Sequence, residues 1–400
     1  MSKLKEEGTV SAEDLKESVL YAAQESRASD IHIDPGPDSM IIRLRIDGVL
    51  EFIGDRPIID YENFVSHLKV ISNLDITQHT IPQEGHFVWA ASEGVKDGEK
   101  IKRRVLDIRC SFFPTVYGEA VVMRILNRTD LLISLKDLGF SEEKDFKAVK
   151  KMIHKTHGMV LVTGPANAGK TTTLYSILKE LSGDNVNIMT IEDPVEYYME
   201  RVRQSQIVPH QGYTYEVGIK SVLRQDPDVI MIGEIRDLET AENSIRVSLT
   251  GRMVLSTLHS NTSVGAVSRL LDMNVERDLV AYALSGVIGQ RLVRKVCTNC
   301  RTSYTPSPDV LKILNMDPSE TFFKGEGCKE CLDSGFYGRS VLFEILNIDE
   351  DIRALILNKA SASEIEKLAI EKGLKTIRED GIQKIRAGIT SPEEVIRATA

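Results

Sequence analysis

The chain has 400 residues and a formal net charge of −9, from 50 Lys and Arg against 59 Asp and Glu; 42% of it is hydrophobic and 27% charged. That length supports two or three domains with an ample core, and the acidic balance argues against nucleic acid as the main ligand, which asks for a basic surface. No apolar run approaches a membrane span and Met1 to Gly8 is charged rather than signal-like, so the expectation is a cytoplasmic protein that meets a membrane only through partners.

Residues 1–128 alternate short strand and helix patterns. Ser11 to Ser26 predicts a helix capped by Ser11, with Asp14 three residues on as a weak capping box. Met40 to Leu50 and Val105 to Arg109 read as strands, and Ala91 to Lys100, with its glycines and charges, reads as an exposed hairpin loop. Residues 129–138 form a linker whose apolar content suggests docking. An α/β core over 139–291 precedes a cysteine module over 292–338. Residues 339–400 form a helical tail, where Ile365, Leu368, Ala369, Leu374 and Ile377 recur at mostly helical spacing and read as packing residues.

The core opens with Met159 to Thr163, an apolar strand. It runs into Gly164-Pro165-Ala166-Asn167-Ala168-Gly169-Lys170-Thr171, and then into a helix from Thr172 to Leu181 with Leu174, Ile177, Leu178 and Leu181 on one face. Strand, glycine loop and helix in that order make the phosphate-binding pattern Gly-x-x-x-x-Gly-Lys-[Ser/Thr] specific. Backbone N–H groups of the loop and of the helix start, through Thr172, point at phosphates. Lys170 can reach the β- and γ-phosphates and the Thr171 hydroxyl can ligate Mg²⁺, so ATP and Mg²⁺ are the expected ligands.

Three further strands bring chemistry to the same sheet edge. Asn187 to Ile191 ends in Glu192-Asp193-Pro194-Val195-Glu196, where Pro194 stops the strand and turns the acids outward; a merely solvated acidic turn is the plain alternative. Leu223 to Asp237 holds the buried run Val229 to Ile232, followed by Gly233 and one carboxylate, Glu234, at the carboxyl edge where ligands of open α/β sheets sit. Gly251 to His259 is another apolar strand. It ends at His259, where a γ-phosphate would be sensed, although a lone histidine is more often an ordinary surface or core residue.

Cys297-x-x-Cys300 and Cys328-x-x-Cys331 are separated by residues 301–327. Paired knuckles of this kind mark a closed structural Zn²⁺ site of four thiolates. Two disulfides or a redox pair are the alternatives; a reducing compartment speaks against the first and the missing thioredoxin-like setting against the second. Cys110 lies in an alternating pattern and reads as a small buried hydrophobe.

Taken together these residues resemble the ATPases of type II secretion systems and their type IV pilus assembly relatives. The resemblance runs from about residue 10 through Ala28-Ser29-Asp30-Ile31-His32, Arg43-Leu44-Arg45-Ile46-Asp47-Gly48 and Asp107-Ile108-Arg109 to Gln290-Arg291-Leu292-Val293, Asp380-Gly381 and Glu393-Glu394-Val395. It implies an α/β fold: a RecA-like P-loop ATPase core preceded by a small α/β (PAS-like) domain, with a zinc-binding insert and a helical C-terminal tail. By the same resemblance Glu234 is the catalytic base or water-positioning acid, and Glu192 and Asp193 lie near Mg²⁺ and the attacking water. His259 belongs to a histidine box, and Arg109 and Arg124 swing onto the γ-phosphate. A homo-oligomer, a hexamer in this family, and an inner-membrane platform protein are the implied partners, and pilin or pseudopilin polymerisation the implied work. The tetracysteine insert is similar to that of assembly and secretion members rather than retraction members. Ala166, Asn167, Ala168, Arg252, Thr262 and His86 depart from the family's usual residues and bear on rate and subunit coupling. A nucleic-acid motor and a nucleotide-switched scaffold with little turnover are the rival readings.

Overall fold

The computed structural model describes residues 10–90, 95–96, 99–100, 105–126 and 133–400, and the chain divides into two compact units, 1–130 and 131–400. In the first unit the order is α1 (Ala12–Glu25), β1 (Asp30–Pro35), β2 (Ser39–Ile46), β3 (Val49–Pro57), α2 (Ile58–Ile71) and β4 (Gln83–Ala90). Two short strands, β5 (Val95–Lys96) and β6 (Glu99–Lys100), then precede β7 (Val105–Thr115) and β8 (Gly118–Leu126). Six of these strands form an antiparallel sheet in the order β3-β2-β1-β8-β7-β4. The Ser11 hydroxyl accepts from the Asp14 N–H, as an N-cap should.

The single strand expected over Met40–Leu50 is β2 up to Ile46, then a hairpin turn and the start of β3. Asp47 and Gly48 both adopt positive φ (49° and 91°), the backbone a two-residue hairpin turn needs, so the chain reverses between β2 and β3. The strand expected at Val105–Arg109 continues to Thr115. Of the loop expected over Ala91–Lys100, residues 91–94 and 97–98 lie outside the described residues, and β5 pairs with β6 within it.

One sheet face is apolar: Ile31, Ile33, Ile42, Leu44, Ile108 and Met123 pack with Leu15 and Leu20 of α1 and Phe64 and Leu68 of α2. Alternation sends the intervening residues to the other face. There the register lines up Arg45, Asp30, Arg124, Arg109 and His86 across five neighbouring strands.

The second unit begins, among described residues, with a 3₁₀ turn, Leu135–Leu138, whose Leu135 and Leu138 are buried, at the end of the expected linker. Next come α3 (Glu143–Ile153), β9 (Gly158–Thr163), α4 (Lys170–Leu181), β10 (Ile188–Glu192), β11 (Val202–Gln206), α5 (Tyr215–Val222) and β12 (Val229–Ile232). They are followed by α6 (Leu238–Leu249), β13 (Met253–Leu258), α7 (Ser263–Asp272), α8 (Arg277–Ala283) and β14 (Leu284–Val296). After the insert strands β15 (Arg301–Tyr304) and β16 (Phe322–Gly325), which flank α9 (Pro308–Leu314), β17 (Phe336–Asn347) returns to the sheet. Helices α10 (Glu350–Leu357), α11 (Ala362–Glu371), α12 (Ile377–Arg386) and α13 (Pro392–Thr399) complete the unit.

The seven-stranded sheet has the order β11-β10-β12-β13-β9-β14-β17 and is parallel except for β17, which pairs antiparallel with β14. Parallel strands covered on both sides should be apolar throughout, and every residue of β9, β12 and β13 is buried. Within β9 the alternation divides the work. Met159 and Leu161 join the core under α5, α6, α7 and α8, whereas Val160 and Val162 join the core under α3 and α4. This is the α/β RecA-like arrangement expected.

The segments expected at 292–338 and 339–400 do not begin at breaks in secondary structure: β14 runs through position 291 and β17 through 338. Of the tail residues read as packing, Ile365, Ala369 and Ile377 are buried, and Leu368 and Leu374 are half-buried. The tail is fastened by a buried ion pair, in which Lys384 Nζ lies 2.9 Å from Asp380 Oδ2 and also reaches the Val341 carbonyl. Asp380 Oδ2 accepts from the Phe343 N–H at 3.0 Å, and burial pushes the Lys384 ammonium pKa down. Asp380→Ala leaves a buried cation with no counter-charge, and urea unfolding should show a loss of about 3 kcal/mol; a loss well under about 1 kcal/mol would contradict this role.

Candidate functional site

The glycine loop leaves β9 beside β14, and the close fit there explains its residue types. A Cβ on Gly164 would come within 2.5 Å of the Gln290 carbonyl oxygen. Gly169 caps α4 with φ 84° and Asn167 sits at φ 60°, a left-handed conformation that Asn tolerates better than most residues. Lys170 Nζ donates to the Gly164 and Pro165 carbonyls at 2.9 and 2.8 Å, so its cation lies across the mouth of the loop. Burial lowers the Lys170 pKa while the Glu234 carboxylate opposes that shift.

A cleft of about 220 Å³ lies in front of the loop. Ala166, Asn167, Lys170 and Thr171 form one wall; Asp193, Glu234 and His259 are on the others. Gly164, Pro165, Ala168 and Gly169 shape the bend without lining the cleft, and Thr172 sits on the following turn. Parallel pairing accounts for this convergence, because β10, β12 and β13 all end at the edge where β9 delivers the loop. Hydroxyls lock the strand ends. Thr257 Oγ1 donates to the Gly233 carbonyl at 2.8 Å, Ser256 Oγ to the Ile232 carbonyl at 2.7 Å, and Thr163 Oγ1 to the Leu258 carbonyl at 2.9 Å.

Glu234 is largely shielded, and its carboxylate pairs with the Arg236 guanidinium. Arg236 also lies 3.8 Å from Asp193 Oδ2, and His259 Nε2 lies 3.8 Å from Glu234 Oε2. Burial, and then the Lys170 charge, push the His259 pKa down, which favours a neutral ring there. Arg236 falls within the segment singled out in the sequence, but no role was read for it. Tyr215, from α5, also lines the cleft: a Cβ on Gly233 would lie 2.8 Å from its hydroxyl. No sequence pattern marked Tyr215.

Glu192 departs from expectation. It was expected to turn outward with Asp193, but it is the last residue of β10 and is 3% exposed, although it still lines the cleft. Its carboxylate accepts from the Tyr175 hydroxyl at 2.5 Å, from Thr190 Oγ1, and from Gln204 Nε2 at 3.2 Å. Burial raises its pKa. Tyr175 Oη in turn accepts from the Glu196 and Tyr197 N–H groups, so Glu192 anchors the acidic turn to α4 while Asp193 is left to the solvent side. The physical reason is alternation: adjacent residues at a strand end point opposite ways.

Arg109 and Arg124 lie in the first unit, directly opposite one another on β7 and β8, and Arg124 Nε donates to Asp30 Oδ1 at 2.9 Å. Cys110 is buried, and desolvation pushes its thiol pKa up to about 12, as suits an inert core residue.

The four remaining cysteines converge. Their sulfurs all lie within 4.8 Å of one another, with Cys297–Cys328 and Cys300–Cys331 at 3.8 Å and Cys328–Cys331 at 3.7 Å. A tetrahedron with Zn–S bonds of roughly 2.3 Å has edges of about 3.8 Å, whereas a disulfide needs about 2.05 Å. The cysteines are unbridged and the cluster can hold Zn²⁺. Asn299 Nδ2 donates to Cys328 Sγ at 3.4 Å, an outer-shell contact of the kind that orients thiolate ligands.

With this geometry in view, comparison with known proteins is informative. Residues 5–397 match the family model described as "Type II/IV secretion system protein". Type II secretion system protein E of Dickeya dadantii is 41% identical over 383 residues, which is 96% of this chain and 74% of that protein. The type IV pilus assembly ATPase PilB of Thermus thermophilus is 40% identical over 392 residues, 97% of this chain but 43% of that longer protein. The X-ray structure of the Legionella pneumophila ATPase DotB has the same fold, with a TM-score of 0.70 at 20% identity, covering 98% of this chain and 97% of that one. A P-loop facing converged acids, inside a match that spans nearly the whole chain, places this protein in the type II/IV secretion system family.

Proposed function

We propose that the chain is an ATP hydrolase whose turnover drives pilin or pseudopilin assembly in a type II secretion or type IV pilus machine. The observation that carries the hydrolase reading is the single cleft in which Lys170 and Thr171 face Asp193, Glu234 and His259. The relatives named above support the machine, since one is a type II secretion protein and another a type IV pilus assembly ATPase.

In this reading the loop N–H groups and the start of α4 bind the phosphates, and Lys170 balances the β- and γ-phosphate charge. The Thr171 hydroxyl, with Asp193 nearby, would hold Mg²⁺, which would supply charge neutralisation. Glu234 orients a water and takes its proton as the water oxygen bonds to the γ-phosphorus and the bridging oxygen leaves with ADP. For that its carboxylate leaves Arg236, whose cation then faces the phosphates or Asp193. His259, held neutral, is a hydrogen-bonding partner at the γ-phosphate. Glu192 keeps the acidic turn in place. Arg109 and Arg124 supply cations to the γ-phosphate as an arginine finger would. The working form is a homo-oligomer, a hexamer, engaged with an inner-membrane platform protein at the cytoplasmic face. No described helix is long and apolar enough to cross a membrane.

Two outcomes are expected. Lys170→Ala should abolish ATP binding by equilibrium titration, whereas Glu234→Gln should still bind ATP but release phosphate about 10²-fold more slowly or worse than wild type. Equal, near-zero rates in wild type and Glu234→Gln would overturn the hydrolase reading in favour of a scaffold. For the cysteine cluster, elemental analysis of the purified chain should find about one zinc per chain. Chelation should lower the melting temperature and make the knuckle thiols reactive. A metal-free protein with two disulfides by mass spectrometry would exclude the zinc assignment.

A further inference from the structure

One residue lies against the phosphate loop at both ends, and no nucleotide motif includes it. Gln290 lies on β14, the strand that pairs with β9 in the register Gly289 to Thr163, and it is completely buried. Its Nε2 donates to the Ala168 carbonyl at 2.6 Å, and its Oε1 accepts from Thr173 Oγ1 at 2.9 Å. Its backbone oxygen is the atom that a Cβ on Gly164 would strike. Its amide nitrogen lies 3.3 Å from where a Cβ on Gly169 would sit. One residue therefore abuts the first glycine, the last glycine, the loop carbonyl between them and the first turn of α4.

A loop that turns N–H groups toward phosphate leaves carbonyls that must find donors elsewhere, and the Ala168 carbonyl faces into the protein. Ala168 is 3% exposed, so its carbonyl has little access to water, and an unsatisfied buried acceptor is costly. A carboxamide is suited to this position because it offers a donor toward Ala168 and an acceptor toward Thr173 at once. A glutamate there would present oxygen to oxygen at Ala168, and a methionine would satisfy neither partner.

We infer that Gln290 is a positioning residue for nucleotide binding: it clamps the Ala168 carbonyl and the Thr173 hydroxyl so that the loop's N–H groups stay aimed at the phosphates. It touches no reacting atom and acts only through the loop, and the inference rests on the nucleotide reading of that loop.

Binding of fluorescent Mg-ADP and steady-state ATP hydrolysis test it on the full chain, with melting temperature measured without nucleotide. Gln290→Glu should weaken Mg-ADP by about tenfold or more, the scale of one buried hydrogen bond lost, and should raise KM for ATP more than it lowers kcat. Thr173→Val, which removes the other half of the clamp, should weaken Mg-ADP several-fold, and Thr173→Ser should restore wild-type affinity by returning the hydroxyl. The threonine pair decides the matter if Gln290→Glu does not fold. The inference is overturned if folded Gln290→Glu and Thr173→Val bind Mg-ADP as wild type does, whatever their melting temperatures, or if Thr173→Ser is as weak as Thr173→Val. Lys170→Ala separates the two levels. Wild type binding no better than Lys170→Ala would remove the nucleotide reading itself, whereas tight wild-type binding with unaffected clamp variants would remove only the role of Gln290.

Discussion

The second unit depends on one constraint: a backbone loop that turns N–H groups outward to phosphate leaves carbonyls that must still find donors, some of them inside the protein. The strand next to the loop meets that demand here. β14 runs so close to β9 that only glycine fits at 164, and its Gln290 amide meets the inward Ala168 carbonyl. Parallel pairing does the rest. Because β9, β10, β12 and β13 all point one way, their carboxyl ends share an edge, and Asp193, Glu234 and His259 arrive beside Lys170.

Electrostatics then separates two carboxylates that the sequence presents alike, each at the end of an apolar strand. Glu192 is enclosed and spends its oxygens on Tyr175, Thr190 and Gln204, and burial raises its pKa. Glu234 opens onto the cleft beside two cations, Lys170 and Arg236, and the His259 ring. A carboxylate open to the cleft can reach a bound water; one whose oxygens are spent on Tyr175, Thr190 and Gln204 anchors the acidic turn. Arg236 adds a second constraint, because the cation paired with Glu234 also faces Asp193, so the two acids share one counter-charge.

Much of this was legible in the chain because the relevant signals are local. Val229 to Ile232 could only be a strand buried on both faces, and the spacing from Gly164 to Thr171 is dictated by the geometry of a phosphate. Other features depend on partners distant in sequence. The burial of Glu192 depends on Tyr175 of α4 and Gln204 of β11, and the place of Gln290 on Ala168, 122 residues earlier. Tyr215 carries no pattern and enters the cleft only because α5 packs over the end of β10. The Asp47-Gly48 reversal was locally encoded, by two residues that tolerate positive φ.

The position of the cysteine cluster argues for a structural metal. Cys297 directly follows β14, and Phe336 of β17 follows Cys331 closely, so the knuckles close the open end of a long antiparallel ladder. Residues 290 to 297, at roughly 3.3 Å per residue, can be separated by about 23 Å. That is too far for a thiolate-bound ion to polarise a phosphate, and four sulfurs in a closed tetrahedron leave it no open position for water. Opposite Gly289 the same ladder is held from both sides: Glu344 of β17 accepts from Ser263 N–H and hydroxyl at the start of α7 and from the Ile377 N–H at the start of α12. A strand that must supply the wall of the phosphate loop is thus pinned beyond the loop by the cysteine module and alongside it by Glu344. The site needs that rigidity, because Gln290 can hold Ala168 only if β14 itself does not shift.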